Sequence, residues 1–118
     1  MYEYACKVER VVDGDTVDVV LDLGFDILYK SRVRLYGIDT PESRTRNKDE
    51  KARGKMAASF LEDAINNGKQ VVIQTKLKDS RGKFGRVLGD VVVDGININQ
   101  SMIDNYHAVA YFGQSKEA

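Results

Sequence analysis

The chain has 118 residues, 42% of them apolar and 31% charged, and its 18 Lys and Arg offset its 18 Asp and Glu to a formal net charge of zero. That composition is ordinary for a soluble globular protein, and the length suits one domain, residues 1–118, rather than two. No stretch reaches the ~18 continuous apolar residues of a membrane span, and a single cysteine, Cys6, can form no internal disulfide.

The opening "MYEYACKVERVV" has no basic segment followed by an apolar one, so no secretory leader is expected in this sequence. A cytoplasmic location is the corresponding expectation, although a secreted mature form would read the same way. No membrane partner is expected. The zero net charge hides an uneven distribution. Residues 31–55 carry eight Lys and Arg against four Asp and Glu, and residues 76–86 carry five against one, in an otherwise acidic chain. Brought together by the fold, these two segments make a local anion site; left apart, they are two solvated loops.

Taken in chain order, residues 4 to 36 read as strands. Tyr4, Cys6 and Val8 alternate with polar positions, and Val17, Val19 and Leu21 alternate across a second run. Asp13-Gly14 between the runs signals a tight turn, and Gly24 begins another. "ILYKSRVRLYGI" is a third strand, followed by the polar, basic loop "SRTRNKDE". From about Glu50 to Asn67 the period becomes helical, with Met56, Ala57, Phe60, Leu61, Ala64 and Ile65 on one apolar stripe and Asn67-Gly68 as the stop. "QVVIQTK" and "RVLGDVVV" are the fourth and fifth strands, separated by the basic loop "LKDSRGKFG". Asp94-Gly95 turns into a short helix in "ININQSMIDN", with Ile98, Met102 and Ile103 facing inward, and "AVAYF" is a last extended piece. The tally gives an α+β domain, mainly β, for which a five-stranded antiparallel barrel fits because it leaves few strand edges open.

The stretch "RLYGIDTPESRTR" holds the only proline, Pro41, between two carboxylates. Proline disfavours the helical region for the residue before it, so Thr40 is expected to be extended, with its carbonyl direction fixed. Asp39 and the Thr40 carbonyl can then project to one side, with Glu42 returning nearby. "DGDT" supplies Asp13 and Asp15 at another strand end. These are hard oxygen donors suited to Ca²⁺ or Mg²⁺, and one His with one Cys makes no ordinary structural zinc site. Arg34 and Arg86 offer guanidinium forks for a phosphate, and carboxylates with such forks are the parts of a phosphodiester-hydrolysing site. On the residues alone, a hairpin turn and an acid-paired arginine account for the same pattern.

"VDGDTV", "RLYGIDTPES", "KFGRVLGDVVVDG" and "VAYF", in this order and spacing, resemble the staphylococcal-nuclease-like (thermonuclease) family from about Val8 to Phe112. The resemblance implies an OB-fold barrel with two packed helices and a calcium-dependent nuclease site, one Ca²⁺ per site. It implies Asp15, Asp39 and the Thr40 carbonyl as metal ligands, Glu42 as general base, and Arg34 and Arg86 as the arginines that hold the phosphate. Lys83, Phe84 and Tyr111 fall at substrate-cleft positions, and Asp13 stands behind the ligands. The chain departs from the family pattern at Phe84 and Gly113, where tyrosines are common. It also ends at Ala118, where related enzymes continue into a further helix; a dimer or a small exposed patch would follow from that, with a monomer the simpler expectation.

Other residues have plainer readings. His107 is expected to be structural or solvent-facing, Cys6 a core residue, and Asn105 the left-handed residue that ends the short helix. Tyr4, Tyr29 and Phe60 read as packing residues, and Asp22 and Asp26 as turn residues. The function implied is hydrolysis of DNA, and of RNA as a second substrate, with little sequence preference and a preference for single strands. The resemblance further implies products with 3′-phosphate ends. The alternative is an OB-type nucleic-acid-binding module without catalysis, which metal-dependent hydrolysis would distinguish.

Overall fold

A computed structural model of the chain describes residues 2–76 and 87–112. The first three strands, β1 (Glu3–Asp13), β2 (Thr16–Asp22) and β3 (Leu28–Leu35), form an antiparallel meander. The short β4 (Ile38–Asp39) leads to helix α1 (Lys48–Asn66), and β5 (Val71–Thr75) and β6 (Val87–Val93) follow. The chain continues through β7 (Ile96–Asn97), α2 (Ile98–Asp104) and β8 (Val109–Ala110). Strand order β3-β2-β1-β5-β6, with β3 also paired to β6, closes five strands into an OB-fold barrel, and the two helices complete a mainly β α+β domain.

The barrel is mixed, which corrects the antiparallel expectation. β3 and β6 run parallel, with Val33 opposite Val87 and Leu35 opposite Gly89. The connection between them carries α1 and β5, the length of crossover that parallel neighbours require.

Val17, Val19, Val33, Leu35, Ile73 and Val91 fill the barrel interior, and period-2 alternation sends their intervening neighbours outward. Cys6 packs partly buried against this core, and burial pushes its thiol up to about 11. Asp18 and Arg32 are opposite one another on β2 and β3, 2.8 Å apart; the arginine's hydrogen bond holds the Asp18 carboxyl below its usual range.

Helix α1 begins where the Asn47 side chain accepts the Glu50 N–H at 3.0 Å, with Asp49 and Glu50 in the first turn to complement the helix dipole. Ala57, Leu61 and Ile65, four residues apart, are its buried face, and Leu61→Ala would cost about 3 kcal/mol by leaving a cavity there. Met56 was expected on that stripe but is 61% exposed. It lies one position, about 100°, around the helix from Ala57 and faces away from the core.

Helix α2 ends differently from expectation as well. Asn105 has φ −100°, and Tyr106 takes the left-handed conformation at φ +63°. The His107 N–H then donates to the Met102 carbonyl at 2.8 Å, the long return bond of a Schellman-type end. His107 is half-buried with its ring 4.8 Å from that of Phe60, as its structural reading requires.

Candidate active site

Three chain segments meet at one end of the barrel. The β1–β2 turn carries Asp15, β3 carries Arg34 directly opposite Thr16, and β4 carries Asp39. Backbone bonds fix the meeting: the Leu35 N–H donates to the Asp15 carbonyl at 2.8 Å. Two buried residues of β6 and α2 brace it from behind. Asn99 donates to the Tyr36 carbonyl at 2.9 Å and to Asp90 Oδ1 at 3.0 Å, and its own Oδ1 accepts the Val91 N–H at 3.0 Å. The segment from β3 to Asp39 is thereby tied to the barrel wall.

At the centre, one nitrogen of Arg34, Nη2, stands 3.4 Å from Asp15 Oδ2 and 3.4 Å from Asp39 Oδ1. The three side chains retain only 16%, 12% and 14% exposure, so water screens the contacts weakly. Arg34 Nη1 donates to the Leu35 carbonyl at 2.9 Å, which orients the guanidinium. Asp15 Oδ1 accepts the Thr16 hydroxyl at 2.9 Å, and Asp15 Oδ2 accepts the Thr40 N–H at 3.2 Å. Thr40 is therefore pinned from both sides, by Asp15 at its nitrogen and by Pro41 after it.

Glu42 follows Thr40 and Pro41 in the chain, on the loop that leads away from this centre toward α1. Its side chain is exposed and makes no hydrogen bond or ion pair among the described residues. Its backbone, in contrast, is held closely. The Glu42 N–H donates to Glu50 Oε2 at 3.1 Å. A Cβ added at Gly54 would fall 2.5 Å from both the carbonyl carbon and oxygen of Glu42, so the loop lies directly on the α1 backbone there. The next residue, Ser43, donates its hydroxyl to Asp13 Oδ1. The contact of Asp13 is thus with the loop that follows Glu42, not with Asp15 or Asp39, where it was expected to stand behind the ligands.

Pairing of Ile38 with Ala110 and Asp39 with Val109 brings β8 alongside, and the Tyr111 N–H donates to the Gly37 carbonyl at 2.8 Å. Tyr111 is consequently half-buried next to the strand that carries Asp39. A groove of about 750 Å³ opens beside Asp39, Thr40 and Pro41, between the first turns of α1, where Arg53 and Met56 line it, and the segment Asn105–Val109. Arg86, Lys83, Phe84 and Gly113 lie outside the described residues.

The donors around the centre suit a hard divalent cation. Asp15, Asp39 and the Thr40 carbonyl would all offer oxygen, and the Thr40 hydroxyl is buried with no hydrogen-bond partner among the described residues. Two carboxylates and one carbonyl fall short of a full shell, and no group of three His, Cys, Asp or Glu side chains with metal-binding geometry occurs among the described residues. The remaining positions would fall to water or to a substrate oxygen, as is common for ions of this kind.

Sequence reasoning did not single out Ser43, Glu50, Gly54 or Asn99. For Glu50 a signal exists, since Asn47 followed three residues later by Glu is a helix-start spacing. The three others act through long-range contacts that no local pattern records.

A closed five-stranded barrel with two packed helices, here with an acidic, arginine-bridged corner at one end, defines the class as OB-fold. The family model described as "Staphylococcal nuclease homologue" matches residues 32–118, and the chain belongs to that family. It is 29% identical over 116 residues to endonuclease YhcR of Bacillus subtilis (strain 168), an alignment covering 93% of this chain and 9% of that protein. It is 31% identical over 104 residues to endonuclease YncB of the same organism, covering 87% of this chain and 46% of the relative. It is 38% identical over 84 residues to the thermonuclease of Staphylococcus intermedius, covering 71% of this chain and 46% of that protein. The chain thus spans less than half the length of each of these relatives.

Proposed function

We propose that the domain is a calcium-dependent nuclease that hydrolyses phosphodiester bonds of DNA, and of RNA as a second substrate, with little sequence preference. The observation that carries this reading is the convergence of Asp15, Asp39 and Arg34 within 3.4 Å contacts beside an exposed Glu42. Membership of a family whose relatives are named endonuclease and thermonuclease supports it.

Asp15, Asp39 and the Thr40 carbonyl would hold the Ca²⁺, which, when bound, supplies positive charge to the phosphate oxygens. Arg34 pairs with both carboxylates and offsets one of their two charges, and it has donors left for a phosphate oxygen, since a guanidinium carries five N–H groups. Arg86 is proposed as the second phosphate arginine, by its place in the sequence motif. Glu42 accepts the proton of the attacking water, and its exposed carboxylate leaves room for that water and the scissile phosphate. Lys83, Phe84 and Tyr111 are proposed to contact the nucleotides that flank the scissile bond. The basic residues Arg44, Arg46, Lys48, Lys51, Arg53 and Lys55 draw the backbone in without reading bases. A single strand is proposed as the preferred substrate, because no helix or strand among the described residues stands out from the site to enter a groove.

The test is release of acid-soluble nucleotides from heat-denatured DNA, with millimolar calcium and with excess chelator. Calcium-dependent release is expected, and Glu42→Gln should lower turnover by about 10²- to 10⁴-fold while DNA binding is retained. Folded protein that binds DNA but releases nothing under any divalent ion would instead establish the non-catalytic binding module.

A further inference from the structure

We propose that Glu50 is a positioning residue for Glu42, one jaw of a clamp that fixes the backbone of the general base while leaving its carboxylate free to work. The inference rests on Glu42 being the base and deepens that reading, because it says what makes an exposed loop residue accurate enough to be one.

Three contacts, two from α1 and one from the β1–β2 hairpin, converge on two residues. Glu50, at the N-terminal turn of α1, accepts the Glu42 N–H at 3.1 Å. Gly54, one turn further along the same helix, presents bare backbone to the Glu42 peptide, where any Cβ would come within 2.5 Å. From the opposite side, Asp13 in the β1–β2 hairpin accepts the Ser43 hydroxyl. The loop is therefore gripped between the helix and the barrel turn that carries Asp15. A glutamate three residues after an N-cap usually turns back to the N-cap's own N–H. Here Asn47 caps the Glu50 N–H in the ordinary way, but the Glu50 carboxylate reaches past it to Glu42. Glu50 is half-buried as a residue, its bond to Glu42 is open to water, and a carboxylate acceptor makes that bond stronger than a neutral one would be.

The clamp matters because a freely moving loop places a base badly. A general base acts through one proton within hydrogen-bond reach, and a displacement of about 1 Å can cost about 100-fold in rate. Fixing the Glu42 main chain reduces the search of its side chain to its own rotamers. Glu50 lines the groove together with Asp39, Thr40 and Pro41, and its hydrogen bond there is to the Glu42 N–H rather than to either carboxylate, the contact of a positioning residue.

The test uses the full chain with heat-denatured DNA and four substitutions. Glu50→Ala should lower kcat by about 10- to 100-fold with KM changed by less than about 2-fold, the pattern of an interaction lost in the transition state alone. Glu50→Gln keeps an acceptor oxygen and should restore most of that loss. Asp49→Ala removes an acid from the same helical turn and controls for the helix dipole; it should leave kcat unchanged. In a Glu42→Gln background, Glu50→Ala should add no further loss, since a positioner has nothing left to position. Independently of activity, the Glu42 amide should be protected from hydrogen exchange in the unsubstituted protein and exchange at least about 10-fold faster in Glu50→Ala.

An unprotected Glu42 amide, an unchanged kcat in Glu50→Ala, or an undiminished effect of Glu50→Ala in the Glu42→Gln background would each overturn the clamp and leave the nuclease reading standing. Absence of hydrolysis by the unsubstituted protein would overturn the nuclease reading, and the role of Glu50 with it.

Discussion

The molecule contains two Asp-Gly turns that look alike in sequence and do opposite work. Asp94-Gly95 joins β6 to β7 with both residues left-handed, at φ +50° and +84°, and a Cβ at Gly95 would meet nothing within 4 Å. It is a two-residue hairpin turn that matches the twist of its strands, and Gly95 is there for its backbone. Asp13-Gly14 joins β1 to β2, but neither Gly14 nor Asp15, the two residues of the turn, has a positive φ. A Cβ at Gly14 would lie 2.7 Å from that of Ala57 on α1 and 3.1 Å from Thr40 Cγ2. Gly14 is there for the space it leaves. The first turn, which bears the proposed ligand Asp15, is closed down on by α1 and the Thr40 segment, while the second stands in solvent and bears none of the proposed site residues.

Substitutions at the two turns should separate these roles. The largest effect is expected at Asp15, which touches Arg34 and the Thr40 N–H at once. Asp15→Asn should cut calcium-dependent hydrolysis by at least about 100-fold, measured as kcat/KM, because it removes a charge that both the guanidinium and the cation need. Next comes Gly14→Ala, where the new methyl meets a rigid neighbour. It should destabilise the protein by about 2 kcal/mol as overpacking, seen as a thermal midpoint lower by about 8 °C, and it should also lose activity because Thr40 must shift. Gly95→Ala is smaller, at about 1 kcal/mol for a left-handed alanine, and hydrolysis by the folded variant should be unchanged. Equal losses of activity at Gly14 and Gly95 would break the comparison.

The same contrast shows why some of the site was legible in the sequence and some was not. Val17, Val19 and Leu21 alternate within one strand, so local pattern alone reveals them. Asp39, Thr40, Pro41 and Glu42 are neighbours in the chain, so local pattern marks the stretch, while the roles given to its residues came from the family resemblance. The buried helix face of Ala57, Leu61 and Ile65 could be read in the same way, but the edge of the stripe could not. Met56 is turned outward because of what α1 packs against, and its own sequence window holds no record of that. Closure of the barrel by the parallel β3–β6 pair depends on contacts more than fifty residues apart. The left-handed residue after α2 was expected at Asn105 on intrinsic preference, yet the return bond to Met102 places it at Tyr106. Preference was overruled there by where the chain has to go. Glycine is the extreme case: its letter is identical whether the need is a backbone angle or an empty volume.

Asp94 sharpens the comparison at its quiet end. Its carboxylate accepts the Lys69 N–H at 3.0 Å and the Gln70 N–H at 2.9 Å, tying the outer turn to the segment that follows α1. These bonds favour the ionised form and hold the Asp94 carboxyl below its ordinary value, the Lys69 and Gln70 amides being the main cause. A carboxyl with a depressed folded value contributes stability above the unfolded value of about 3.9, and loses it as the pH falls through the folded one. Urea denaturation should therefore show Asp94→Asn less stable than the parent at pH 6, with the gap narrowing steadily below about pH 4. The difference will be small, because the carboxylate is exposed to water and screened. Hydrolysis should not follow it, since no contact of Asp94 reaches Asp15, Asp39 or the Glu42 loop. A gap that stayed constant with pH would mean the turn is held by its backbone angles alone, and an activity that fell with it would mean the two turns are coupled through α1.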